Sequence, residues 1–177
     1  MKEINIIDFG LMGKQISALF YLLGYEIGVY NKSKLNIYEF EKQIKLLQRK
    51  IDFSNFNAGK INIYQHIEDL KNSLTIESLN EDLNLKKEIM QILRDNNIVF
   101  SNSSSLSMDD LNCDFIHFFN TIYIKLIELC GSNLERFTPL KDLKKLGFHI
   151  ICSKGNRGAL ANLLLFNEIS SFFKIIE

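Results

Sequence analysis

Short β-branched runs and stretches with apolar residues at helical intervals take turns along the chain. Ile4 to Ile7 is the first such run. Gly10 and Gly13 close it, and Ile16, Leu19, Phe20 and Leu23 then recur at helical spacing until Gly24. Tyr25 to Tyr30 predicts a second strand, ending in Asn31-Lys32-Ser33, so the opening segment is one βαβ unit with a right-handed crossover. Ile37 to Ile51 predicts an amphipathic helix whose outer face carries Glu39, Glu41, Lys42, Lys45, Arg49 and Lys50, a solvated face rather than a binding one. After a linker-like stretch from Ser54 to Gly59, the pattern predicts a strand at Ile61 to Tyr64, a helix at Ile67 to Leu70 and a strand at Leu74 to Leu79. A helix at Leu83 to Leu93, strands at Ile98 to Phe100 and Phe115 to Phe119, and an extended apolar segment from Ile122 to Leu129 follow. Pro139 suits a helix start, giving a helix at Leu140 to Leu146 and a last strand at Phe148 to Cys152.

This alternation predicts an α/β fold, Rossmann-like and doubly wound, with a predominantly parallel sheet and a short C-terminal helical extension. Ser153 to Gly158 is the expected boundary, dividing residues 1–153 from an extension over 154–177. Ala159 to Ile176 is apolar on too much of its circumference to stand free in water, so it requires a partner surface in its own domain or a second subunit.

Composition narrows the function classes. The 21 basic and 21 acidic side chains cancel, which leaves no global field for nucleic acid or an anionic membrane, and any anionic ligand must be held by local groups. Cys113, Cys130 and Cys152 stand far apart with no C-x-x-C, which argues against a disulfide framework and a metal site and suggests buried or idle thiols in a reducing compartment. The apolar start is interrupted by Asp8, short of a signal sequence, and no run reaches the ~18 to 20 apolar residues of a membrane span. A soluble, cytoplasmic protein is the expectation.

A strand, a glycine turn and a helix in succession bring backbone N–H groups and a positive helix end to the carboxyl edge of a sheet, where a pyrophosphate is held. Here that turn is Asp8-Phe9-Gly10-Leu11-Met12-Gly13, with aspartate at the first position of the G-x-G-x-x-G pattern. Gly10, Leu11, Met12 and Gly13 are therefore candidate cofactor contacts, and Asp8 is a candidate source of repulsion toward a diphosphate. Glycine also marks ordinary strand-to-helix turns. Asn31 ends the second strand where an acidic residue commonly meets the adenosine ribose. With Lys32 and Ser33 beside it, that position tolerates a 2′-phosphate, so NADP stands beside NAD as a possible cofactor. The plainer reading of Asn31 is a turn cap.

More specific signals lie further along. Thr75 to Glu88 runs from a strand through Glu81-Asp82-Leu83 into a helix bearing Lys86; Ser101-Asn102-Ser103-Ser104-Ser105-Leu106 resembles S-N-T-S-S-L; His117-Phe118-Phe119-Asn120 resembles H-F-F-N-P; and Lys125-Leu126-Ile127-Glu128 resembles K-L-V-E. In this order and spacing the motifs resemble the NAD-binding domain of the 3-hydroxyacyl-CoA dehydrogenase family, and Arg157 to Asn162 resembles a degraded P-G-F-I-V-N-R. The resemblance implies His117 as general base toward a 3-hydroxyl while hydride leaves C3 for a nicotinamide, with Glu128 as the carboxylate that orients it. It further implies that Ser104 and Asn162 hydrogen-bond the reacting oxygens, that Asn120 holds the nicotinamide end, and that Glu81, Lys86 and Asn102 belong to the cofactor side. An acyl-CoA substrate and a homodimer through the C-terminal helix are implied with them. Without the motifs, His117 would read as a hydrogen-bonded core residue. His66 reads as a surface residue at a helix start and His149 as strand packing.

The chain departs from the pattern at Asp8, at Asn31, at Thr121 after H-F-F-N and at Arg157 before Gly158, and the final helix reads as a remnant of a larger substrate-closing, dimerising domain. Three readings stay open: an active minimal dehydrogenase of 3-hydroxyacyl-CoA esters, a non-catalytic descendant that binds a nucleotide or acyl-CoA, and a reductase of the same fold with a different 3-hydroxy acid or ester.

Overall fold

The computed structural model describes residues 2–32, 36–93, 98–154 and 159–176. Ser33 and the Arg157-Gly158 stretch, which entered the cofactor and motif readings, lie outside them.

The strands are β1 (Glu3–Ile7), β2 (Glu26–Tyr30), β3 (Lys60–Tyr64), β4 (Leu74–Glu77), β5 (Ile98–Ser101), β6 (Asp114–Phe118), β7 (Leu126–Cys130) and β8 (His149–Ser153). Between them run α1 (Leu11–Leu22), α2 (Ile37–Lys50), α3 (Leu83–Leu93), α4 (Met108–Leu111) and α5 (Leu140–Lys145), and α6 (Leu160–Ile176) follows the last strand. Among the described residues the eight strands form one sheet in the order β3-β2-β1-β4-β5-β6-β7-β8. Every pairing is parallel except β6 with β7. The connection from Phe119 to Lys125 is too short for a helical crossover, so β7 returns antiparallel. Strand order reverses between β1 and β4, which opens a crevice above the carboxyl ends of the central strands.

The core explains these elements. β1 is buried from Ile4 to Ile7, as expected of a central parallel strand covered on both faces. α1 lays Ile16, Leu19 and Phe20 on the sheet and ends where Gly24 takes the left-handed conformation (φ 84°). α2 buries only Phe40, Gln43 and Leu47 and turns its charges outward; the Asn36 side chain caps it by accepting from the Glu39 N–H at 3.2 Å. Phe20 packs edge-on against Tyr25, Phe118 and Phe137, and Phe100 joins through Phe137. Each such ring, fully buried, stabilises the fold by roughly 1.5–3 kcal/mol.

Several expectations change. The helix expected at Ile67 to Leu70 is a single 3-10 turn over Ile67–Asp69, and α4 was not anticipated because four residues are too few to show a period. Strand β7 begins at Leu126 rather than Ile122. The Asn120 carbonyl accepts from the Tyr123 and Ile124 N–H groups, so the chain turns first and buries Thr121 and Ile122 beneath the turn. His149, expected to pack within a strand, opens edge strand β8 and is exposed. Of the cysteines, Cys130 is buried, Cys152 is exposed, and burial pushes the Cys113 thiol up to about 12, which leaves it unreactive. No helix among the described residues is long and apolar enough to cross a membrane.

Candidate active site

The first wall of the crevice is the turn between β1 and α1. Asp8 takes a left-handed backbone conformation (φ 74°), which glycine adopts freely and Asp or Asn tolerates. Its N–H donates to the Tyr30 carbonyl at 2.9 Å. A side chain at Gly13 would overlap the Asp8 carbonyl oxygen, so that glycine lets helix and strand approach closely. The Gly10 N–H donates to Asp8 Oδ2 and the Phe9 N–H to Asn31 Oδ1, each at 3.0 Å. Asn31, expected near an adenosine ribose, thus latches the turn, in keeping with its plainer reading.

The second wall comes from the ends of β4 and β5. Lys86 in α3 is fully buried; its Nζ donates to Glu77 Oε1 at 2.7 Å and to the Leu79 carbonyl at 3.0 Å. The expected contact of Lys86 with a cofactor therefore meets a side chain without exposed surface. Glu77, also fully buried, accepts from Ser101 Oγ as well, so one carboxylate ties the loops after both strands together. Glu81 holds the serine loop: it accepts from Ser103 Oγ and the Ser104 N–H at 2.6 Å each, and from Ser104 Oγ at 3.2 Å. Burial works to raise the Glu81 carboxyl, but these bonds and the nearby Lys86 ammonium outweigh it and hold the group below the usual carboxylate range. Asn102 Oδ1 accepts from the Phe118 N–H at 2.9 Å, which registers the loop against β6.

β6 carries His117 with its ring centroid 4.3 Å from that of Phe119. Burial pushes the imidazole below its ordinary value, against the pull of Glu128 and Glu81, so the ring is neutral at neutral pH. Glu128 stands directly opposite His117 in the antiparallel ladder, as a His–carboxylate pair requires. Yet its carboxylate is engaged elsewhere, accepting from Ser153 Oγ at 2.7 Å and from the Leu160 N–H at 2.8 and 3.0 Å. His117 Nδ1 is buried without a partner. Asn162, in the first turn of α6, donates from Nδ2 to the Ser104 carbonyl at 3.2 Å.

These walls enclose a cleft of about 490 Å³. Of the residues singled out in the sequence, Gly10, Leu11, Met12, Glu81, Asn102, Ser104, His117, Asn120 and Asn162 line it; Gly13, Asn31, Lys86 and Glu128 stand behind the lining. Sequence reasoning missed Ser78, another lining residue, and the buried Glu77; a Glu at the end of an apolar strand was the available signal for the second. A larger open cavity of about 770 Å³, lined by Met108, Asp114, Arg136 and Lys154 among others, holds none of these residues.

Three buried polar atoms without partners, Ser78 Oγ, His117 Nδ1 and Asn120 Oδ1, belong to residues lining the cleft. Unpaired buried groups cost free energy, so a polar ligand that paired with them would gain most there. The glycine turn fits a dinucleotide at Gly13 and disagrees with one at Asp8.

A predominantly parallel sheet with a glycine turn and a polar cleft at its switch point defines a Rossmann-like dinucleotide-binding domain. Residues 3–136 match the family described as 3-hydroxyacyl-CoA dehydrogenase, NAD binding domain, and the chain belongs to that family. A 3-hydroxybutyryl-CoA dehydrogenase of Clostridioides difficile is 27% identical, over 75% of this chain and 55% of its own length. The chain thus spans little more than half of that relative. Among solved structures, FadB2 of M. tuberculosis is similar with a TM-score of 0.79 at 20% identity, covering 99% of this chain and 72% of its own. An NAD+-dependent dismutase, 5-formyl-3-hydroxy-2-methylpyridine 4-carboxylic acid 5-dehydrogenase, has a TM-score of 0.81 at 19% identity, covering 99% and 65%. At such identities the likeness is one of fold.

Proposed function

We propose that this chain carries the nucleotide cleft and the proton-transfer machinery of an NAD-dependent dehydrogenase acting on the C3 hydroxyl or keto group of an acyl-CoA. The observation that carries the reading is the convergence of His117, Ser104, Asn120 and Asn162 on one cleft beside the glycine turn. When bound, the nicotinamide supplies the hydride acceptor or donor. His117, kept neutral by burial, takes the hydroxyl proton in the oxidative direction and returns it in the reductive one. Ser104 and Asn162, already linked through the Ser104 carbonyl, hydrogen-bond the reacting oxygens. Asn120 offers its unpaired Oδ1 to the amide of the nicotinamide. Glu128 acts from behind, favouring the imidazolium by its charge.

The test is nucleotide oxidation by the purified chain with acetoacetyl-CoA, using NADH and NADPH in parallel, beside His117→Ala. Turnover that the substitution removes supports the reading and names the preferred nucleotide. Asn31 and Lys32 keep NADP in the comparison. A second reading, a protein that binds nucleotide or acyl-CoA without turnover, is favoured by the engagement of Asp8 and Glu128 within the fold. It predicts saturable binding with no oxidation. Exposed Leu160, Leu163, Leu164 and Ile169 on α6 support a homodimer through that helix. Light scattering that returns the monomer mass of 20.5 kDa would refute it.

A further inference from the structure

The feature that sets this cleft apart is an acidic side chain inside its anion-binding turn. At a strand-to-helix turn the free backbone N–H groups are what an anionic ligand takes. Here the Gly10 N–H is already given to Asp8 Oδ2 at 3.0 Å, and the carboxylate also lies where a side chain on Gly10 would stand. The backbone of Asp8 is fixed on both sides, by the hydrogen bond from its N–H to the Tyr30 carbonyl and by the close approach of its own carbonyl to Gly13. Only side-chain rotation can clear the turn. Among the described residues no ion pair involves Asp8, and the lining of the cleft it shares with Gly10, Leu11 and Met12 includes no lysine or arginine. The neighbouring Phe9 N–H is spent as well, on Asn31 Oδ1.

We propose that the Asp8 carboxylate is a built-in occupant of the place a ligand's diphosphate takes, so that this cleft selects against diphosphate-bearing ligands and admits a dinucleotide only by expelling the carboxylate. The proposal rests on the dinucleotide reading above. Two effects act together. The carboxylate competes for the Gly10 N–H, and a like charge a few ångströms from a diphosphate repels it in a site of reduced dielectric. A nicotinamide ligand without phosphates meets neither effect.

Binding to the full chain is measured by the fluorescence anisotropy of the reduced nicotinamide, whose absorption band lies beyond that of the aromatic side chains. The proteins are the wild type, Asp8→Asn and Asp8→Gly, and the probes are NADH and reduced nicotinamide riboside. Asn tolerates the left-handed backbone and keeps an oxygen for the Gly10 N–H, so that variant removes the charge alone; Gly removes charge and competitor. The expected result is NADH affinity about tenfold or more higher in Asp8→Asn, at least as high in Asp8→Gly, and riboside affinity unchanged within about twofold. Circular dichroism checks that each variant keeps its fold. Equal NADH affinity in all three proteins overturns the proposal and leaves the dinucleotide reading standing. An equal gain for the riboside also overturns it, because the substitution then acts through something other than the diphosphate. Absence of NADH binding in all three overturns both.

Discussion

Lys86 offers the clearest test of how this cleft is built, because its place in the family pattern and its place in the fold point in different directions. The ammonium is fully buried, 2.7 Å from a Glu77 carboxylate that is itself fully buried, and 4.0 Å from Glu81. Lys86→Met keeps most of the side-chain volume and, among the described residues, leaves the Glu77 charge with Ser101 Oγ and the Leu79 N–H as donors. Breaking one side of a buried pair costs ~3–5 kcal/mol, a large share of the ~5–15 kcal/mol that holds a domain together. Removing both charges in Glu77→Gln/Lys86→Met should cost less than Lys86→Met alone, with a coupling energy of about 1–3 kcal/mol, since a neutral glutamine no longer needs a cation. Urea unfolding followed by far-ultraviolet circular dichroism measures all the species, and the double-mutant cycle follows from the midpoints and slopes. If Lys86→Met unfolds within about 1 kcal/mol of the wild type while NADH affinity falls, Lys86 is a ligand contact and the reasoning here is wrong.

Three further outcomes are expected. Gly13→Ala drives a methyl group into the Asp8 carbonyl and should destabilise the chain by about 1–3 kcal/mol, read as a lower melting temperature. Burial places the folded His117 imidazole below its ordinary 6.5, so the unfolded chain binds a proton that the folded chain refuses; the stability owed to neutral His117 is complete above 6.5 and is lost as pH falls toward the folded value, and His117→Gln should flatten that acid limb in denaturant titrations. Glu128→Ala removes the acceptor for the Leu160 N–H, so the first turn of α6 should exchange its amide hydrogens faster, while unchanged exchange at Leu160 would refute the anchoring role.

Strand positions and motif order were legible for different reasons. The period of the apolar residues placed β1 through β5 within a residue or two, because buried parallel strands and amphipathic helices leave strong signals. The turn before β7 was not legible: Thr121 and Ile122 look like strand residues, and only the double use of the Asn120 carbonyl makes the chain bend there. In the cleft, side-chain identity revealed which residues gather at the sheet edge but not how their hydrogen bonds are shared. His117 and Glu128 stand in register, but the ladder does not dictate that Glu128 turns to Ser153 and the α6 backbone. Lys86 shows the same limit. A lysine on a helix beside an acidic loop reads as a ligand contact until its burial is known.

The carboxylates around the cleft share one habit that bears on how it works. Asp8 takes the N–H of Gly10, Glu81 the N–H of Ser104, and Glu128 the N–H of Leu160. Each is thereby satisfied by the protein's own backbone, and each fixes one wall of the cleft: the glycine turn, the serine loop and the start of α6. Left over are Ser78 Oγ, His117 Nδ1 and Asn120 Oδ1, buried without a hydrogen-bond partner among the described residues. A ligand entering the cleft meets acidic groups that are already occupied and polar atoms that are not, so polar groups of the ligand gain most where they pair with Asn120 and Ser78, and a full negative charge gains least at Asp8. For proton transfer the consequence is specific. Glu128 stands opposite His117 in the ladder and already accepts from the Leu160 N–H, so a carboxylate that turned toward a charged imidazole would loosen the first turn of α6. Hydrogen exchange at Leu160 measured above and below the His117 titration separates this coupling from a rigid α6, for which the exchange protection would not change with the charge on the imidazole.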